Sequence, residues 1–178
     1  MLSMLLPFFT FFFTVQSDWT WQVFPESGFK ILAPFTLQHK AIEMPTTGDP
    51  ILYHQYHGGS LQDSSLHLAF VIDHYEVTEQ DIGGDHEYLH EFFGVTVDQI
   101  LKSLNGKLVY MDFTSSSDRE VCIWRATFQG EKGIIRGQLI IAGNKYYGLQ
   151  AFGLAEEQKD ALMHKFLDSF QISDSQKN

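Results

Sequence analysis

The C-terminal third of the chain carries the pattern that most constrains its fold. Residues 120–128 and 144–152 alternate between apolar and polar side chains, and residues 134–142 between them form a dense apolar run. Patterns of this kind and length are typical of β-strands. A helix-patterned segment, residues 156–170, follows. Three strands joined by short turns and closed by an amphipathic helix predict an antiparallel α+β domain.

The earlier part of the chain adds strands and one more helix. Residues 87–104 predict a helix that ends at Asn105-Gly106, a favoured C-terminal stop. Its predicted apolar face consists of Leu89, Phe93, Val97, Ile100, Leu101 and Leu104. Strand patterns occupy residues 19–24, 29–33, 35–44, 51–57, 65–75 and 107–113. The Gly143-Asn144 pair predicts a two-residue hairpin turn.

These elements predict one antiparallel sheet of about six or seven strands with both helices packed on it, an α-β-α sandwich. In the final helix, Phe166 and Phe170 are expected to be buried against the sheet. No internal repeat or low-complexity linker divides the chain, so residues 18–178 are expected to form a single domain.

Composition excludes several classes of partner. Of the residues, 44% are hydrophobic, which is enough for a packed core and rules against disorder. The formal net charge is −10, which repels nucleic acid phosphates and anionic lipids. The single cysteine, Cys122, excludes an intramolecular disulfide.

The N-terminus has the pattern of an export signal. The stretch from Leu2 to Val15 is almost wholly apolar, and no charged side chain precedes Asp18. Val15 and Ser17 stand at the −3 and −1 positions of a cleavage after Ser17. The stretch is shorter than the about 20 residues of a membrane-spanning helix. Residues 1–17 therefore predict a cleaved signal peptide and a periplasmic or secreted protein, and an uncleaved anchor is the alternative.

Four segments carry a resemblance to a known family. They are residues 28–34, 101–110 (LKSLNGKLVY), 145–151 and 166–170. In these segments the chain resembles the PsbP-like superfamily, which includes the photosystem extrinsic protein PsbP, a Ran-binding nuclear transport factor and many exported bacterial proteins. The resemblance spans residues 28–172. It implies an α+β fold and, by analogy with characterised members, a non-catalytic role in binding proteins.

One short motif suggests a metal site. His86, Glu87 and His90 match the HExxH pattern, in which two histidines one helical turn apart bind Zn²⁺ and the glutamate activates water. The flanking Asp85 and Glu91 are charged, and no downstream motif supplies a third ligand. We therefore expect no metal and no other cofactor here, and we keep a small metal-dependent hydrolase as the alternative function.

Further candidates lie in the strands. If residues 51–57 pair with residues 65–75, His57 and His67 share one face and His54 shares the other with Leu68. We expect these to be ordinary surface histidines. A possible binding surface is formed by aromatic residues of the strands, namely Tyr53, Tyr56, Tyr75, Trp124, Tyr146 and Tyr147.

No nucleophile elbow or phosphate-binding glycine loop occurs in the sequence. We therefore expect an exported, non-catalytic binding or accessory domain whose partner is another envelope protein. After signal cleavage the protein is expected to contact neither membrane nor nucleic acid. The sequence does not specify the partner or the oligomeric state.

Overall fold

The computed structural model describes residues 18–45, 50–62, 66–78, 86–155 and 159–173. The predicted leader, residues 1–17, lies outside the described residues. Within the described ranges the elements are, in order, β1 (Thr20–Phe24), β2 (Phe29–Ala33), β3 (Gln38–Met44), β4 (Ile51–Ser60), β5 (Leu68–Glu76), α1 (His86–Leu104), β6 (Lys107–Ser115), β7 (Glu120–Phe128), β8 (Gly133–Ala142), β9 (Lys145–Leu154), α2 (Asp160–Asp168) and β10 (Gln171–Ile172).

Seven strands form one antiparallel sheet in the order β3-β4-β5-β9-β8-β7-β6. This confirms the predicted antiparallel sheet of six or seven strands with helices packed on it. Strands β1, β2 and β10 form a separate small sheet in the order β1-β2-β10. The sequence pattern did not separate β1 and β2 from the large sheet, because alternation marks a strand but does not say which sheet it joins.

The turn between β8 and β9 is the predicted two-residue hairpin. Ala142 pairs with Lys145 across it, and Gly143 adopts a φ of 57°. Glycine adopts this left-handed conformation without the steric cost that a Cβ imposes. The dense apolar run forms β8, an interior strand of the sheet with buried residues on both of its faces.

Helix α1 covers one face of the sheet with an apolar stripe. Leu89, Phe93, Val97 and Leu101 are its buried residues, and their four-residue spacing places them on one side of the helix. They pack in one core cluster with Trp124 of β7. The predicted apolar face of this helix is confirmed.

The opposite face of the sheet is covered by α2 and the small sheet. Phe166 of α2 stacks on Phe70 of β5 with ring centroids 4.0 Å apart, and Phe170 lies against Phe29 of β2. Both Phe166 and Phe170 are buried, as predicted.

Helix α2 ends earlier than the sequence pattern indicated, at Asp168 rather than at Phe170. The Ser169 hydroxyl donates to the Phe166 carbonyl and accepts a hydrogen bond from the Leu32 amide at 2.9 Å. The chain then pairs with β2 as strand β10. The predicted helix start at residues 156–158 lies outside the described residues.

The layers are therefore α1, the seven-stranded sheet, and α2 together with the small sheet. One edge of the large sheet is β3, in which every residue is exposed. In the described part of the chain, no helix combines the length and the apolar character needed to cross a membrane.

Candidate functional site

A cleft of about 360 Å³ opens between α1 and the face of the sheet formed by β4, β5 and β9. We call it the tyrosine cleft. The sheet contributes tyrosines and polar side chains, and α1 contributes a mainly apolar wall. The cleft is lined by Met44, Tyr53, Asp73, Tyr75, Phe92, Val95, Thr96, Gln99, Ile100, Tyr146 and Gln150.

Three tyrosines form a row across the strands in the cleft. Tyr75 of β5 and Tyr146 of β9 are direct cross-strand partners, with ring centroids 4.7 Å apart. Tyr53 of β4 lies 6.1 Å from Tyr75 on the other side. Phe92 of α1 meets the Tyr146 ring edge to face at 5.9 Å. Packed aromatic rings of this kind form a rigid wall that loses little side-chain entropy when a ligand binds.

The carboxylate of Asp73 lies beside this row. Its Oδ1 accepts a hydrogen bond from Gln55 Nε2 and its Oδ2 accepts one from Gln150 Nε2, both at 3.1 Å. The Tyr53 hydroxyl donates a third. All three donors are neutral, and among the ion pairs of the described residues none involves Asp73. The site thus holds a half-buried carboxylate without a counter-charge.

This environment changes the titration of the cleft. Burial raises the pKa of Asp73 above its ordinary value, although the hydrogen bonds from Tyr53, Gln55 and Gln150 oppose the shift. Burial, and then the nearby Asp73 charge, raise the pKa of Tyr53. The pKa of Tyr146 is raised as well, mainly by burial. Tyr53 and Tyr146 therefore stay neutral at physiological pH.

The structure corrects the expectation of one shared aromatic surface. Tyr53, Tyr75 and Tyr146 meet in the cleft, but Tyr56 and Tyr147 lie on the opposite face, where both bond to Ser27. Successive side chains of a strand point to opposite faces, so neighbours such as Tyr146 and Tyr147 cannot line one surface.

The sixth aromatic residue of that set, Trp124, is fully buried under α1. It lies directly across from Gly137 of β8. It is therefore a core residue.

The HExxH residues lie at the start of α1. His86 is 71% exposed, and its Nδ1 lies 2.9 Å from Oε1 of the partly buried Glu120, whose Oε2 accepts from Ser115. His90 stacks on Phe113 at 4.1 Å. Glu87 is exposed. Among the described residues, no three potential ligands are placed to hold a metal ion.

The strand histidines form a different arrangement from the one predicted. His57 lies across from Val71, and His67 precedes β5, where its Nδ1 bonds to the Leu61 carbonyl. His54 does share a face with Leu68, as expected from the alternation, but its direct partner is His74.

His54 also contacts the edge strand. His39 Nε2 and His54 Nδ1 are 3.0 Å apart and form a hydrogen bond in which one nitrogen donates and the other accepts. Burial is the first cause that lowers the pKa of both His54 and His74. His54 and His74 also line a cavity of about 490 Å³ on this face. Glu26 and Glu76 line the same cavity.

Sequence reasoning missed Asp73, Gln55 and Gln150. One signal was present: Asp73 stands inside the alternating run of β5, where a charged residue is uncommon. Gln55 and Gln150 are separated by ninety-odd positions, and only the β4-β5-β9 neighbourhood brings both to one carboxylate.

No protein-family model matches the chain, and no curated protein matches it in sequence. One solved structure resembles it in fold, the solution structure of cyanobacterial PsbP (CyanoP) from Synechocystis sp. PCC 6803. It superposes with a TM-score of 0.61 at 8% sequence identity, covering 88% of this chain and 93% of that chain. Identity this low establishes the fold alone. This protein has a PsbP-like fold.

Proposed function

We propose that the protein is a non-catalytic binding domain that holds a protein partner in the tyrosine cleft. The observation that supports it best is the cleft itself, where three packed tyrosines and a carboxylate without a counter-charge face an open space. Tyrosines are enriched in interface centres because each ring offers a large apolar surface and a polar tip.

The surroundings of the cleft suit a macromolecular partner. Val95 of α1 is 50% exposed, and Ile42 and Met44 of the edge strand β3 are 37% and 36% exposed. Apolar side chains grouped around an aromatic cleft are typical of a protein interface. The net charge of −10 favours a partner with a basic surface and accelerates encounter at low ionic strength.

The proposed place of action is outside the cytoplasm, in the periplasm or the medium. This rests on the apolar leader, residues 1–17, which has the pattern of a cleaved signal. The partner is then another envelope protein. The alternative, a metal-dependent hydrolase, has less support because no three potential ligands among the described residues are placed to hold a metal ion.

The test begins with a photo-crosslinking residue at Val95 in the full-length protein. The crosslinked partner is identified and purified. Its dissociation constant is then measured for the wild type, for Val95→Glu and for the control Val23→Glu, which changes a similarly exposed residue on β1.

A charge in the cleft mouth disrupts an apolar contact, so Val95→Glu should weaken binding at least about tenfold, or about 1.4 kcal/mol. Val23→Glu should leave the affinity unchanged. Raising the ionic strength should slow association more than dissociation. Equal affinities for the two variants would contradict the use of this cleft.

A further inference from the structure

The unusual feature of the tyrosine cleft is its charge balance. A carboxylate that leaves water is normally compensated by a basic group. Asp73 has three neutral donors, Tyr53, Gln55 and Gln150, and none of the groups that shift its pKa is basic. No basic group of the described residues therefore already makes the favourable interaction with Asp73 that a bound cation would make.

The walls beside Asp73 also favour a cation. The faces of Tyr75 and Tyr146 carry negative partial charge, and such faces attract ammonium and guanidinium groups within about 6 Å. The remaining wall is formed by Val95 and Ile100 of α1, against which the methylene stem of a long side chain can pack.

We infer that the tyrosine cleft recognises an arginine or lysine side chain of the protein partner, with the cationic head on Asp73 and the stem between the tyrosines and α1. This rests on the proposed function and adds the chemistry of its anchor. A lone carboxylate with aromatic walls is selective because a neutral side chain of the same shape gives it no counter-charge.

The charge of Asp73 makes binding of a cation depend on pH. Burial raises the pKa of Asp73 in the free protein, so the unbound carboxyl is protonated at a higher pH than an exposed aspartate. A bound cation favours the ionised form and lowers that pKa. Binding is therefore strongest at pH values above the pKa of free Asp73 and weakens as the pH falls through it. Tyr53 and Tyr146 remain neutral throughout that range because burial raises their pKa values.

The test uses defined probes and the full-length protein. Nuclear magnetic resonance follows the side-chain amide signals of Gln55 and Gln150 during titration with acetyl-Gly-Gly-Arg-Gly-Gly-amide. The matched neutral probe replaces the arginine with citrulline, which has nearly the same shape without the charge. Butylguanidinium is a third probe, a free cation without a peptide backbone.

Two variants accompany the probes. Asp73→Asn removes the carboxylate charge, and Asp98→Asn makes the same change of net charge at an exposed position of α1. Asp73→Asn replaces one of the two oxygens that accept from Gln55 and Gln150 by a donor, so one of these amides must turn over. Its melting temperature is therefore measured beside the wild type, and binding is compared at a temperature where both proteins are folded.

We expect saturable shifts with the arginine peptide, at least tenfold weaker binding of the citrulline peptide, and at least tenfold weaker arginine binding in Asp73→Asn but not in Asp98→Asn. Equal binding of the two peptides would overturn the inference. Binding of butylguanidinium without the arginine peptide would also overturn it, because the cleft would then take a small free cation.

A failure of the basic anchor can be distinguished from a failure of the proposed function. If Val95→Glu abolishes capture of the partner while Asp73→Asn does not, the partner uses the cleft through an apolar anchor and the basic-anchor inference is wrong. If neither variant affects capture, the cleft is not the interface and both proposals are wrong.

Discussion

Arg136 and Asp160 form a two-point ion pair that joins β8 to the start of α2. Arg136 Nε and Nη2 donate to the two carboxylate oxygens of Asp160 at 3.2 and 2.9 Å, and Nη1 donates to the Tyr110 hydroxyl at 2.9 Å. The guanidinium is buried. Its hydrogen bonds and charge lower the pKa of Asp160. One arginine thus connects the last helix with two strands of the sheet.

We expect Arg136→Met to lower the free energy of unfolding by roughly 1–3 kcal/mol, because charge-assisted bonds are lost while the volume is kept. The pKa of Asp160 is lowered in the folded state. Its contribution to stability is therefore present above its pKa in the unfolded chain, and it is lost as the pH falls through its pKa in the folded protein. In thermal melts from neutral to acidic pH, the difference in melting temperature between Arg136→Met and the wild type should become smaller as the pH falls.

Arg119→Met is the matched control for that variant, since Arg119 is exposed in the loop between β6 and β7. It should leave the melting temperature nearly unchanged. A gap between Arg136→Met and wild type that does not depend on pH would show that the variant acts through packing alone.

The second prediction concerns Phe166, whose ring is fully buried on Phe70. Truncation to alanine leaves a cavity between α2 and the sheet, and we expect a loss of about 3–5 kcal/mol. Tyr88→Ala, at a 45% exposed position of α1, is the control and should cost far less. Denaturant unfolding measures both, and equal midpoints for the two variants would contradict the packing described here.

Two glycines should respond in opposite directions to alanine. At Gly94 in α1 an added Cβ meets nothing within 4 Å, so Gly94→Ala should stabilise the helix by roughly 0.5–1 kcal/mol. At Gly137 the added Cβ would clash with the Trp124 ring, so Gly137→Ala should destabilise the fold by about 1–3 kcal/mol. Paired unfolding curves measure the difference, and a Gly137→Ala protein as stable as wild type would mean that Trp124 can move aside.

The helix faces and most strands could be predicted because their periodicity records which side is buried. Leu89, Phe93 and Val97 recur at helical spacing, and the alternation of β7 appears directly in the letters. Local patterns of this kind carry information over a turn of helix or a pair of strand residues.

Neighbour relationships between distant segments could not be predicted in this way. The pairing of β5 with β9, which the topology places side by side, creates the contact between Asp73 and Gln150. The contact between His86 and Glu120 likewise depends on how α1 lies on the sheet. A motif such as HExxH specifies spacing along the chain but not what occupies the histidine nitrogens in the fold.

The export prediction can be tested by sequencing the N-terminus of native protein. We expect it to begin near Asp18, because Val15 and Ser17 suit the −3 and −1 positions of a cleavage site. Ser17→Tyr places a bulky ring at −1 and should block processing, whereas Ser3→Tyr, early in the same leader, should not. A native chain starting at Met1 would refute cleavage.

The last prediction concerns the hydrolase alternative. His86 Nδ1 lies 2.9 Å from Glu120 Oε1, and among the described residues no three potential ligands are placed to hold a metal ion. We therefore expect the purified protein to hold no stoichiometric zinc and to turn over no peptide or ester substrate. Elemental analysis measures the first, and assays of Glu87→Gln beside wild type measure the second. One zinc per chain that disappears in His90→Ala, together with a hydrolytic activity that disappears in Glu87→Gln, would overturn the binding-domain proposal in favour of an enzyme.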